Sequence, residues 1–202
     1  MSFRLLVTGF EPFNGGRLNP SQEIVRTIAQ RTYDGVELST AVLPVEYENA
    51  WPALSAAIAE SKPNAVICLG QAEGRRTISF ERIAVNLDDA RIADNAGVLR
   101  AQQPIDAQGP ASLESTLPIE QLVYEINSLV IPAEVSMSAG TFLCNHVFYR
   151  IQQEFAESGV VSGFVHVPLM TEQAEDFDDL PTMPLEYMVT AVEKMIAVLS
   201  QD

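Results

Sequence analysis

Disulfides, metals, nucleic acids and membranes are all disfavoured by what this chain of 202 residues has little of. Its two cysteines, Cys68 and Cys144, are too few for a disulfide framework and fit a reducing compartment, so a cytoplasmic protein is expected. Its two histidines, His146 and His166, form no helical pair with a carboxylate at ligand spacing, so no metal site is expected. Only 12 lysines and arginines stand against 27 acidic residues, and the net charge of −15 argues against a nucleic-acid surface, whose phosphates need clustered cations. No apolar run approaches the roughly 20 residues of a membrane span. The start, MSFRLLVTGF, lacks the apolar length and small-residue cleavage pattern of a signal peptide.

What is present suits a globular protein: 47% of residues are hydrophobic and 19% charged. The length fits one catalytic domain spanning residues 1–202. Short β-rich runs at Phe3–Thr8, Val36–Leu43, Ala65–Leu69, Ala133–Met137 and Val160–Val167 read as buried parallel strands. Between them, Tyr47, Trp51, Leu54 and Ile58 recur at helical spacing, as do Ile119, Leu122, Val123 and Ile126, and Met188, Val192, Met195 and Leu199. Asn19 before Pro20 is a helix start, and Pro118 opens another. The alternation predicts an α/β/α sandwich with a mostly parallel central sheet flanked by helices, and ligands gather at the carboxyl ends of such strands. RRTISFERIAVN reads as a strand pair or hairpin, and Gln102–Pro110 as a loop.

The strand ends carry unusual residues: GFEPFNGG, GQAEGR, SAGTFLCNH, and His166 with Pro168. Cys144 follows the turn Ser138–Thr141 and opens a helix whose apolar face is Val147, Phe148, Ile151 and Phe155. A helix N-terminus favours a thiolate, and its free N–H groups can bind an oxyanion. These features make Cys144 the candidate nucleophile of a thiol hydrolase. Cys68, inside the apolar strand AVICLG, reads as an inert core thiol.

The base of such an enzyme must be His146 or His166. His146 lies about 200° around the helix from Cys144, toward Arg150 and Gln153, and is expected at the surface or an interface. His166 ends GFVHVP at the ligand-binding edge and is the better base. A third group must fix its tautomer, and Glu73, Glu81, Asp88, Asp89 and Asp94 are all candidates that spacing does not separate.

Together GFEPFNGG with NPS, GQAEGRRTISFERIAVN, SAGTFLCNHVFY and GFVHVP resemble the pyroglutamyl peptidase I family, in the family's order from Leu5 to Pro168. The resemblance implies an α/β/α enzyme, usually a homotetramer, that removes N-terminal pyroglutamate from peptides with no metal or organic cofactor. It implies a triad of Cys144, His166 and Glu81, and an oxyanion site made by the Cys144 N–H with Arg91. It also implies a pocket walled by Phe10, Phe13, Gln71 and Phe142. A lactam is compact, neutral and half apolar, so aromatic walls and neutral polar groups suit it. A prolyl residue, lacking the lactam carbonyl, would leave buried donors unpaired.

The sequence departs from the family's pattern at Asn14, where glycine is expected, and in TEQAEDFDDLP, which matches nothing diagnostic. The former bears on the choice of second residue in the peptide; Glu175–Asp179 reads as a solvated loop or a weak cation site. Two rivals are a phosphate-dependent transferase, with GFEPFNGGR and Arg17 cradling phosphate, and a non-catalytic binder of blocked N-termini.

Overall fold

A computed structural model describes residues 2–177 and 180–201. In chain order the elements begin β1 (Phe3–Phe10), α1 (Pro20–Ile28), β2 (Val36–Leu43), α2 (Tyr47–Ser61) and β3 (Ala65–Gln71). Then come β4 (Ile78–Glu81), β5 (Ile83–Val85), β6 (Ser112–Glu114), α3 (Ile119–Asn127), β7 (Ala133–Ser136) and α4 (Leu143–Phe155). The chain finishes with β8 (Val161–Val167), β9 (Leu169–Met170), a 3₁₀ turn at Thr171–Gln173, β10 (Thr182–Met183) and α5 (Leu185–Leu199).

The helix starts follow the local chemistry. Asn19 caps α1 by accepting from Ser21 N at 3.0 Å, and Pro20, which has no N–H to satisfy, takes the first helical position. At α3, Pro118 sits one residue earlier, at the cap itself.

Six strands form the central sheet in the order β2-β1-β3-β8-β4-β7. Side chains alternate between its faces. Leu5, Val7, Ile67, Leu69 and Val165 pack with α1, α3 and α5 on one side; Leu6, Val66, Cys68 and Phe164 pack with α2 and α4 on the other. This is the expected α/β/α sandwich. The two edge strands, β2 and β7, are only half-buried.

RRTISFERIAVN is not a hairpin. Its first half is β4, which joins the main sheet antiparallel to β8 and parallel to β7; its second half is β5, which leaves the sheet and pairs with β6. Arg82 stands between the two, and its N–H still donates to Ser136 O of β7 at 2.8 Å. Among the described residues no helix is long and apolar enough to cross a membrane.

Candidate active site

The register of the sheet assembles the site. His166 on β8 stands opposite Gly70 on β3 and opposite Ser79 on β4, while Phe164 stands opposite Cys68 and Glu81. Residues that face each other across a sheet share a side, so Gly70, Glu81, Phe164 and His166 all point toward α4. Glu81 reaches His166 along the diagonal, a span long side chains bridge. Its Oε1 lies 2.7 Å from His166 Nδ1. That contact makes Nδ1–H the donor and leaves Nε2 as the free acceptor.

Cys144 is the second residue of α4, after Phe142, which caps the helix without a side-chain hydrogen bond. Gly70 makes room for its sulfur. A Cβ there would stand 2.8 Å from the Phe164 ring and 3.0 Å from Cys144 Sγ.

Cys144 and His166 open on one cavity of about 250 Å³, whose wall includes Phe10, Phe13, Gln71 and Phe142. Phe13 and Phe142 stand next to each other with ring centroids 6.3 Å apart and planes tilted by 47°. Tyr47 supports Phe142 edge-on at 5.8 Å. Gln71 is held by its carbonyl: Gln173 Nε2 donates to Gln71 Oε1 at 3.0 Å, and Gln173 Oε1 accepts from Met170 N at 2.9 Å. The Gln71 amide N–H₂ then turns toward Glu73, 3.4 Å away.

Charge at the site differs from the helix-terminus expectation. Burial pushes the Cys144 thiol up to about 12, with the nearby Glu81 carboxylate adding to the rise and Arg75 opposing it. Burial also lowers His166 below its ordinary value, against the pull of Glu81. Both effects favour a resting pair of neutral thiol and neutral imidazole over a preformed thiolate–imidazolium pair. Desolvation works against the helix terminus here.

The other carboxylates are engaged elsewhere. Asp94 accepts from Tyr47 N at 2.8 Å and Val98 N at 2.7 Å, and Asp89 from Gln102 N at 3.2 Å. Asp88 is buried against His146 Nδ1, 2.9 Å away, and Arg100, also 2.9 Å. His146 is therefore not at the surface: it is only 6% exposed, because the segment after β5 folds over that face of α4. Arg91 is exposed on that segment and does not line the cavity, whereas Arg75 does. Arg75 Nη1 lies 2.8 Å from Glu81 Oε1 and Nη2 donates to Ser138 O at 3.0 Å. Arg75 and Gln173 were not singled out from the sequence. The only signal for Arg75 was its place in GQAEGRRTISFERIAVN, just before the strand that bears Glu81.

Asn14 has φ 52, in the left-handed region that glycine and asparagine tolerate best, which accounts for both residues at this turn. It lines a second cleft that shares Phe13 and Gln71 with the cavity. Of the acidic stretch, Glu175 and Asp176 are exposed and Asp176 pairs with Arg17 at 3.4 Å; Asp178 and Asp179 lie outside the described residues. Among the described residues no group of three or more His, Cys, Asp or Glu side chains is placed to hold a metal ion.

Comparison with known proteins identifies the family. The family model described as pyroglutamyl peptidase matches residues 3–202. A pyrrolidone-carboxylate peptidase of Erwinia tasmaniensis is 43% identical over 195 residues, covering 96% of this chain and 92% of its own. One from Aliivibrio fischeri is 46% identical over 183 residues, covering 91% of this chain and 86% of its own. The crystal structure of pyroglutamyl peptidase I from Bacillus amyloliquefaciens superposes with a TM-score of 0.94 at 36% identity, covering 99% of this chain and 95% of that one. With residues 3–202 matched by the family model and the sheet matched by the crystal structure, the chain belongs to the pyroglutamyl peptidase family.

Proposed function

We propose that the chain, acting as one catalytic domain, releases 5-oxoproline from peptides with an N-terminal pyroglutamyl residue, using Cys144 as nucleophile, His166 as base and Glu81 to orient the base. The observation that carries the assignment of roles is the 2.7 Å Glu81–His166 contact facing the cavity that holds Cys144. A volume of about 250 Å³ suits a five-membered lactam; pockets for drug-sized ligands are about 300–1,000 Å³. Phe13 and Phe142 offer the ring two apolar faces. The Gln71 amide supplies a neutral donor for the lactam carbonyl.

Nε2 of His166 takes the thiol proton as Sγ attacks the carbonyl carbon that joins pyroglutamate to the next residue. The Cys144 N–H, free at the start of α4, receives the oxyanion. As the C–N bond breaks, His166 returns the proton to the departing amine, leaving a thioester. Water then attacks with His166 as its base, the C–S bond breaks, and the proton returns to Sγ. Glu81 stabilises the imidazolium in each half.

The test is release of aminocoumarin from pyroglutamyl-aminocoumarin with prolyl-aminocoumarin as control. The prolyl analogue lacks the carbonyl assigned to Gln71, so the pyroglutamyl compound is expected to be favoured in kcat/KM by about 10²-fold or more. Equal turnover of the two would overturn the pocket assignment. Neither rival reading has an observation in its favour: Arg17 is paired with Asp176, and the thiol and base stand together.

Gly70→Ala should leave the chain folded and lower kcat by about 10²-fold, the cost of an ångström-scale misplacement of a reacting group. The added methyl has to displace either the Phe164 ring or Cys144 Sγ. Steady-state kinetics together with a thermal melt reads this, and an unchanged kcat would remove Gly70 from the account.

Two free thiols fit a reducing compartment, and the family resemblance points to four subunits. We therefore place the enzyme in the cytoplasm as a homotetramer, to be checked by cell fractionation and sedimentation.

A further inference from the structure

We propose that Arg75 is a positioning residue for the reaction: its guanidinium holds the Glu81 carboxylate toward His166 and ties it to the Ser138–Thr141 turn in front of Cys144. The inference rests on the roles proposed above for Cys144, His166 and Glu81.

Glu81 is fully buried, and a buried carboxylate is stable only when paired and hydrogen-bonded. Its Oε1 takes both contacts, from His166 Nδ1 at 2.7 Å and from Arg75 Nη1 at 2.8 Å, while Oε2 has no partner among the described residues. The carboxylate would otherwise be free to rotate about its last bond. Arg75 removes that freedom with a planar fork whose other nitrogen donates to Ser138 O at 3.0 Å. One side chain thus continues, at the level of side chains, the link that the last β4–β7 pair, Glu81 with Ser136, makes through the backbone: it joins the Glu81 carboxylate to the turn that precedes α4.

The charge of Arg75 also acts on the base. His166 is faced by Glu81 from β4, by Arg75 from the segment before β4, and by the Cys144 thiol from α4. Burial holds its proton affinity down, Glu81 raises it, and Arg75 lowers it. Removing the cation should therefore let His166 keep its proton to higher pH, so that less of the free base is present near neutrality. Arg75 also holds the Cys144 thiol down, so its removal shifts both groups in one direction.

The test is the pH dependence of kcat and KM for wild type, Arg75→Gln and Arg75→Lys with pyroglutamyl-aminocoumarin. In Arg75→Gln the acid limb should move up by about one pH unit, and kcat/KM on that limb should fall about tenfold through kcat, with KM little changed. Arg75→Lys keeps the charge and should restore the limb, yet recover only part of kcat, since one ammonium does not reproduce the fork. A rise in KM with an unmoved limb would mean that Arg75 binds substrate instead. A uniform loss with no movement of the limb would reduce it to scaffolding, and either result overturns the inference. If Arg75→Gln does not fold, Arg75→Lys decides: a displaced limb, or full kcat, refutes the proposal. Failure of the underlying reading looks different, with wild type silent or Cys144→Ala active.

Discussion

Replacing Cys144 with alanine is expected to abolish hydrolysis of pyroglutamyl-aminocoumarin, with kcat lowered by at least about 10⁴-fold, as for nucleophile deletions in other hydrolases. The reason is local. Among the described residues the one other hydroxyl or thiol on the cavity wall is Thr141, whose Oγ1 is committed to Asp89 O at 2.7 Å, so it does not replace the sulfur. Cys68 is the control. It lies inside β3, buried, with its thiol pushed up to about 12 by burial, and it packs with the α2 and α4 side of the core. Cys68→Ala removes only a small apolar volume, so kcat should hold within about twofold while stability drops by roughly 1 kcal/mol. Steady-state kinetics and thermal melts on both variants read the contrast. Retained activity in Cys144→Ala would end the thiol-hydrolase account of the site.

Much of this was legible in the sequence because it depends on short-range pattern. Apolar runs with turn residues at their ends placed β1, β2, β3 and β8 closely, and Asn19–Pro20 marked α1. Cys144 was legible because its turn, helix start and apolar face lie within a few residues of one another. His166 was legible because it ends a strand at the edge where such sheets bind ligands. The four pocket residues, carried by the family resemblance, all reach the cavity.

Long-range placement was not legible. The Glu81 contact depends on β4 entering antiparallel beside β8, a register that no spacing within RRTISFERIAVN announces. That is why five carboxylates stayed equivalent until the family resemblance chose one. His146 shows the same limit from the other side. The helical angle correctly turned it away from Cys144, yet what covers that face is the segment carrying Asp88 and Arg100, which meets α4 from 58 residues away in the case of Asp88. The environment of the thiol was hidden for a different reason: a helix terminus can be read from sequence, whereas the desolvation that acts against it depends on the packing around the sulfur.

Glu81→Gln should lower kcat by about 10³–10⁴-fold with KM nearly unchanged, comparable to the loss when an orienting carboxylate becomes an amide in other triads. Glutamine has the same shape, so the effect isolates charge and hydrogen-bond direction. An amide that presents its N–H₂ to His166 Nδ1 makes that nitrogen an acceptor, which moves the ring proton to Nε2 and removes the base facing Cys144. An amide that presents its oxygen keeps the tautomer but leaves the imidazolium formed during catalysis without a counter-charge in a buried setting. The two variants beside His166 should shift the surviving activity oppositely. Glu81 raises the proton affinity of His166, so Glu81→Gln should move the acid limb to lower pH, whereas Arg75→Gln should move it higher. Because Arg75 is partly exposed, losing its partner leaves it hydrated, and unfolding should become easier by only about 1–3 kcal/mol. Asp88→Asn tests the remaining histidine pair in the same assay. If it abolished activity while Glu81→Gln retained it, Asp88 with His146 would be the working pair and the assignment of His166 would fall.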